Sequence, residues 1–145
     1  MTEINDNKAR LIPLGADGTD VGEPIPVQFN PSAYSSIWNI TWNEVGQSLQ
    51  WSRSVAGDLV LTLNYDSYEK RTDVRELTKS LKERLDPGEP SSGQAVGCLF
   101  QWGKIVFKGV VASIKEDFSL FLQDGTPVRA VVTLTLKPWP QAPRH

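Results

Sequence analysis

The sequence predicts a mainly β domain with one α-helix, on two observations. Apolar and polar residues alternate with period two through residues 107–136, 59–65 and 96–102, the mark of strands with one buried face. A 3.6-residue apolar period occurs convincingly once, where Val74, Leu77, Leu81 and Leu85 form a stripe. At 145 residues the chain suits a single core without covalent staples. The expected division is one domain over residues 1–137 and a proline-rich, extended tail over 138–145.

Residues 1–7 are polar and read as a frayed terminus. Residues 9–14 read as an edge strand, because Pro13 cannot donate to a ladder. After a turn-rich connection, residues 25–30 read as a second strand bracketed or interrupted by Pro24, Pro26 and Pro31, which discourage edge pairing. Residues 31–58 are the least regular stretch. They hold Tyr34, Ile37, Trp38, Ile40, Trp42, Leu49 and Trp51 among small polar residues, with Glu44, Arg53 and Asp58 as their charges. Long segments of this kind inside a compact domain are usually functional or disordered. An extended hairpin covering one end of the domain and an arm that packs on a neighbouring subunit both fit, since aromatics are enriched at interfaces.

Leu59, Leu61, Leu63 and Tyr65 share one strand face. The helix is expected over residues 72–85, with Asp73 and Glu76 at its N-terminus as a capping box, Lys82 and Arg84 in the last turn, and Asp86-Pro87-Gly88 as the stop. Its outer face, Arg75, Glu76, Lys79, Lys82 and Glu83, mixes both signs and reads as solvated. Residues 89–94 read as a loop. Val96, Cys98, Phe100 and Trp102 share a face of the next strand, and Gly103 permits a tight reversal.

Residues 107–136 read as a long hairpin turning at Asp124-Gly125. On its first strand Val110, Ala112, Ile114, Phe118, Leu120 and Leu122 fall on one side, and Ser113, Lys115, Asp117 and Ser119 on the other. On its second, Val128, Ala130, Val132, Leu134 and Leu136 alternate with Arg129, Thr133, Thr135 and Lys137. Opposed residues of a hairpin lie on one face. A two-residue turn would set Leu120 against Arg129 and split the apolar rows. An odd loop, Asp124-Gly125-Thr126 with a positive-φ glycine, instead sets Leu122 opposite Val128, Leu120 opposite Ala130 and Phe118 opposite Val132. Glu116, the charge within the apolar row, marks a bulge or bend.

Little in the sequence points to chemistry. The net charge is −2 and the basic residues are scattered, so no stripe suits a nucleic acid. The one cysteine excludes an intramolecular disulfide framework and a cysteine zinc knuckle. His145, the one histidine, is the last residue, a poor place for a preorganised base. Cys98 sits mid-strand, where an inert buried thiol is expected. Glu116 and Asp117 are strand neighbours pointing to opposite faces. Residues 17–20 are too short for a calcium loop, and neither GxxxxGK[ST] nor GxGxxG occurs. No catalytic residue, cofactor or metal is therefore expected, and no enzyme. No apolar run is long enough for a helical membrane span. The polar start MTEINDNKAR shows no secretory signal, so synthesis in the cytoplasm is expected.

Four stretches also carry a resemblance: PVQFNP (residues 26–31), LTLNYDSYEKRTDVRELT (61–78), FQWGKIVFKGVVASI (100–114) and DGTPVRAVVTLTLK (124–137). In this order they resemble the tube-type domain of contractile injection systems, phage-tail-like particles that drive an inner tube through a membrane. The nearest resemblance is to inner-baseplate proteins that sit between spike hub and tube. Many of those carry a C-terminal LysM module; with His145 last, none is expected here, and the loop at residues 89–97 is Ser/Gly-rich where relatives tend to have a proline pair.

The resemblance implies an antiparallel β-barrel or sandwich of the phage tail-tube type with one helix outside. Copies would form a hexameric ring that joins the spike hub to the tube, or tube initiator, and templates tube growth, with no nucleic acid bound and no membrane insertion. It favours the arm reading of residues 31–58, with Tyr34, Trp38, Trp42 and Trp51 as interface candidates. It makes Ser113, Lys115, Asp117, Ser119, Arg129, Thr133 and Thr135 the candidates for lining the channel, although an ordinary solvated face would carry the same residues. The particle into which the ring builds would be released or membrane-attached. An inner-tube subunit, a small-molecule-binding β-barrel with a closed apolar pocket, and a cell-wall-degrading enzyme are the competing readings; the last lacks plausible catalytic groups.

Overall fold

A computed structural model describes residues 8–25, 27–85 and 96–140. Its elements are β1 (Arg10–Leu14), β2 (Ala33–Val45), β3 (Ser48–Asp66), α1 (Arg75–Leu85), β4 (Gly97–Trp102), β5 (Ile105–Phe121) and β6 (Pro127–Pro138). All six strands join one antiparallel sheet in the order β1-β4-β5-β6-β3-β2. The class is mainly β with one helix, as the alternation requires. The sheet does not close on itself: β1 and β2 stand at opposite edges, unpaired with each other.

One face of the sheet is buried. Leu59, Leu61, Leu63 and Tyr65 of β3 lie beside Val128, Ala130, Val132, Leu134 and Leu136 of β6, with Cys98 and Phe100 of β4 and Leu11 of β1. Val74, Leu81 and Leu85 of the helical segment close over them. Leu77, expected in that stripe, is exposed, and Thr78 is buried in its place. The reason is a polar tie across the layers, in which the Thr78 hydroxyl donates to Glu116 Oε1 at 3.2 Å. At the helix start Asp73 Oδ1 accepts the Arg75 N–H at 2.9 Å. The Arg75 guanidinium beside it holds the Asp73 carboxyl below the usual carboxylate range. The Val74 N–H bonds Pro127 O, which fixes the helix entry to the start of β6.

The expected strand over residues 25–30 is not formed. Ile25 makes an isolated bridge to Leu11, with its N–H on Leu11 O at 2.7 Å, and the Ala9 N–H that would continue the ladder goes to Asn30 Oδ1 at 2.8 Å instead. Farther on, the Gln28 side-chain amide takes over backbone work, bonding both the N–H and the C=O of Asp66. Together with Val21, whose N–H reaches Pro13 O, this segment covers the β1 edge. The expected frayed start, the helix stop at Asp86-Pro87-Gly88, the loop at residues 89–94 and the end of the tail lie outside the described residues.

The β5–β6 hairpin turns through an odd loop with Gly125 at φ 92°. Leu122 N–H bonds Thr126 O, and Gly125 N–H bonds Leu122 O. The loop is Gln123-Asp124-Gly125, one residue earlier than expected, so the register moves by one pair step along each face. Phe118 lies opposite Ala130 and Glu116 opposite Val132. The faces stay as expected from Ser113 onward but flip before it, because a bulge falls between Val111 and Ser113. Val111, not Val110, therefore packs against the core, and Ala112 is exposed. The bulge is not at Glu116, which sits in regular ladder and accepts from Thr78. Leu120, placed in the apolar row from sequence, has φ 56° and is exposed.

Candidate assembly surface

Residues 31–58 are regular. They form most of the β2–β3 hairpin, which pairs from Ala33↔Thr62 to Val45↔Ser48. Every residue of β2 is exposed, as are residues 48–56 of β3. The hairpin thus leaves the body as an arm whose strands beyond Ser36 run for roughly 30 Å at ordinary strand rise. Extra β3 residues at two register shifts, one near Gly57 and one near Ser52, leave β2 itself uninterrupted. Its even-numbered residues therefore share one face, and Ser36 opposite buried Leu59 identifies that face as the core side. At Gly57 a Cβ would fall 2.8 Å from Asn39 Nδ2 and 3.1 Å from Ile37 O, so the first shift needs glycine.

Three of the sequence-derived interface candidates come together on this core-side face of the arm. Trp42 lies directly opposite Trp51, and Trp38 is two pair steps toward the body. They are 54%, 60% and 63% exposed. Ile40 and Leu49, the latter opposite Glu44, complete the strip; the sequence reading did not select them, although their alternation with Thr41 and Gln50 carried the signal. Tyr34 stands apart, at the arm's root, with its ring edge-on to Trp102 at 6.4 Å. Single exposed apolar side chains are ordinary, whereas a contiguous aromatic strip marks a contact surface.

The channel-lining candidates also share a face. Ser113 lies opposite Thr135, Lys115 opposite Thr133 and Ser119 opposite Arg129, with Asp117 opposite Val131. All are exposed or half-buried on the side away from the core. Their charges are matched: Lys115 is 3.8 Å from Asp117, and Arg129 is 3.0 Å from Asp66. Asp66 is held low by the Tyr68 N–H and by Arg129. This face carries no excess of either sign among these residues.

Backbone geometry supplies what the sequence did not. β4 pairs with β5 over Ile105–Val110 only, and among the described residues nothing pairs with that edge of β5 from Ser113 to Phe121. Among the described residues the other free edge is the whole of β2. Their outward donors follow from alternation. Ser67 N–H bonds Val128 O, so odd residues of β3 face β6, even ones face β2, and by the register Ser35↔Val60 the odd residues of β2 face β3. Tyr34, Ser36, Trp38 and Ile40 then turn their N–H groups outward. On β5, Lys108 O accepts from Trp139, so even residues face β6 before the bulge and odd ones after it. Ile114, Glu116 and Phe118 turn their backbone outward.

Cys98 is fully buried and its thiol is pushed up to about 12 by burial, the inert state expected of it. His145 lies outside the described residues, and among those described no cluster of histidine, cysteine and carboxylates could hold a metal. Among the described residues no helix is long and apolar enough to cross a membrane. The search of curated proteins gave no match. The family model described as "Contractile injection system tube protein" matches residues 8–144, which contain every element of the fold. The chain belongs to the contractile injection system tube protein family, a structural family of those particles.

Proposed function

We propose that copies of this chain close into a ring, hexameric as the resemblance implies, in the inner baseplate of a contractile injection particle. The ring joins the spike hub on one face to the inner tube on the other and templates tube growth. The observation that carries this reading is the pair of long free edges, β2 and the distal half of β5, on opposite sides of one sheet. Long uncovered edges are a liability in a lone molecule. A heterologous contact that closes by rotation removes them all. In a cyclic ring the copies point the same way, so β2 meets the next copy's β5 antiparallel and the sheet continues unbroken. The polar, charge-matched face then lines the channel. The function is mechanical and needs no turnover or cofactor; synthesis in the cytoplasm precedes assembly.

Negative-stain electron microscopy with light scattering tests the reading. Discrete rings that bind hub and tube protein are the expected result. A second reading, an inner-tube subunit, is favoured by the family's description and predicts long tubes from the purified chain. A strict monomer that ignores both partners would remove both readings. The small-molecule barrel is not supported by an open sheet.

A further inference from the structure

The sheet's core side has an uncovered margin. Where β4 ends, the helix α1 overhangs the free part of β5 and leaves a cleft of about 790 Å³, with Phe118 and Glu116 on its floor and Lys79 and Lys82 on its helical wall. We infer that this cleft receives Trp38 and Trp42 from the arm of the next copy in the ring. The inference rests on the edge pairing proposed above and names the surface that the tryptophans fill.

Three observations lead there. First, joined sheets must match faces, since a one-residue slip turns every side chain over. The even residues of β2 and the even residues of β5 after the bulge both lie on the core side. Pairing the two edges therefore sets Trp38, Ile40 and Trp42 beside Ile114, Glu116 and Phe118, under the neighbour's helix. Second, β4 blocks β5 up to Val110, so the arm reaches only the part that borders the cleft. Successive copies must be staggered along the strands, as closed sheets require. Third, the lining is mixed in charge, acidic through Asp73, Glu76, Glu83 and Glu116, and includes two lysines held loosely or not at all by those acids, Lys79 and Lys82. An indole presents a negative face to a cation and gains most when both leave water. Lys82 has no ion-pair partner among the described residues, and Lys79 reaches only Glu83, at 3.9 Å. The half-buried Phe118 offers an apolar floor.

The test uses the full chain with Lys82→Cys carrying a benzophenone label, mixed with unlabelled chain enriched in heavy nitrogen. Cys98 is buried and does not compete for the label. After irradiation of assembled rings, the expected product joins the label to the tryptic peptide ending at Arg53 of another copy. The charge-reversed Lys79→Glu/Lys82→Glu chain should need at least about tenfold more protein to form rings, and the Lys79→Arg/Lys82→Arg chain should match wild type. Rings that cross-link Lys82 only within one copy, or to another segment, overturn the inference while leaving the ring intact; so does charge reversal without effect on assembly. A wild-type chain that forms no rings instead removes the ring reading, and this inference with it.

Discussion

Proline at position 36 separates assembly from folding. Ser36 is exposed and its N–H points away from β3. Proline there removes no bond within the molecule, and edge strands are where sheets tolerate it. The change should move folding stability by no more than about 0.5 kcal/mol, the usual range for an exposed site. Between copies the same proline deletes a ladder donor and puts its ring where the neighbouring strand must come. A net ladder bond contributes about 0.5–1.5 kcal/mol, and the orphaned acceptor on the partner adds to the loss. Each interface should then weaken roughly tenfold, and a closed ring compounds this at every contact. Ser35→Pro is the internal control. One residue away, its N–H faces Val60 on β3, so it should cost about 1–3 kcal/mol of folding stability. Urea unfolding of the unassembled chain measures the first quantity and sedimentation velocity across concentration the second. The reasoning is refuted if Ser36→Pro assembles at wild-type concentration, or unfolds as readily as Ser35→Pro.

Other outcomes follow from the interior. Gly97→Ala should cost at least about 3 kcal/mol in urea unfolding, the upper range for overpacking, because its Cβ would lie 2.1 Å from the Gly109 carbonyl oxygen and 2.8 Å from the Trp139 ring. Stability should fall above pH 9. Burial raises Cys98 from 9.0 and Tyr65 from 10.0, each to about 12, so the folded chain keeps protons that the unfolded chain releases. That contribution is intact below pH 9. As pH rises toward 12 it declines by about 1.4 kcal/mol per pH unit for Cys98 above pH 9 and again for Tyr65 above pH 10; a flat profile from pH 9 to 11 would contradict it. Iodoacetamide at pH 8 should leave Cys98 unmodified in the native chain and label it in urea. Thr78→Val should destabilise the chain by about 1–2 kcal/mol, because Glu116, half-buried beneath the helix, loses a donor.

The faces of the strands were legible because period-two patterning is set by burial, and burial decides most of the fold. Leu59 to Tyr65 and Val128 to Leu136 show this plainly. Register was less legible. The odd loop followed from parity, but parity is unchanged by a one-step shift of the loop, so Phe118 was set against Val132 where Ala130 stands. The bulge at Ala112 was invisible because Val110 and Val111 are both valines. Leu77 and Thr78 exchanged places because the helix rotates to meet Glu116, a tie between distant segments that no local period encodes. The tryptophans at positions 38, 42 and 51 were legible as a set, but Trp51 joins the face of Trp38 and Trp42 only through the register shift between Thr41 and Trp42. The free edges had no signal in side chains, since they are made of backbone groups.

Hydrogen exchange on assembled and dissociated protein tests the joining of edges most directly. The account predicts that the amides of Tyr34, Ser36, Trp38 and Ile40 on one edge, and of Ile114, Glu116 and Phe118 on the other, exchange within seconds to minutes when dissociated and become protected together in the ring. The amides of Ser35 and Lys115, already bonded inward, should change little. Edge amides that exchange equally fast in both states would contradict the account, whatever shape the particles have.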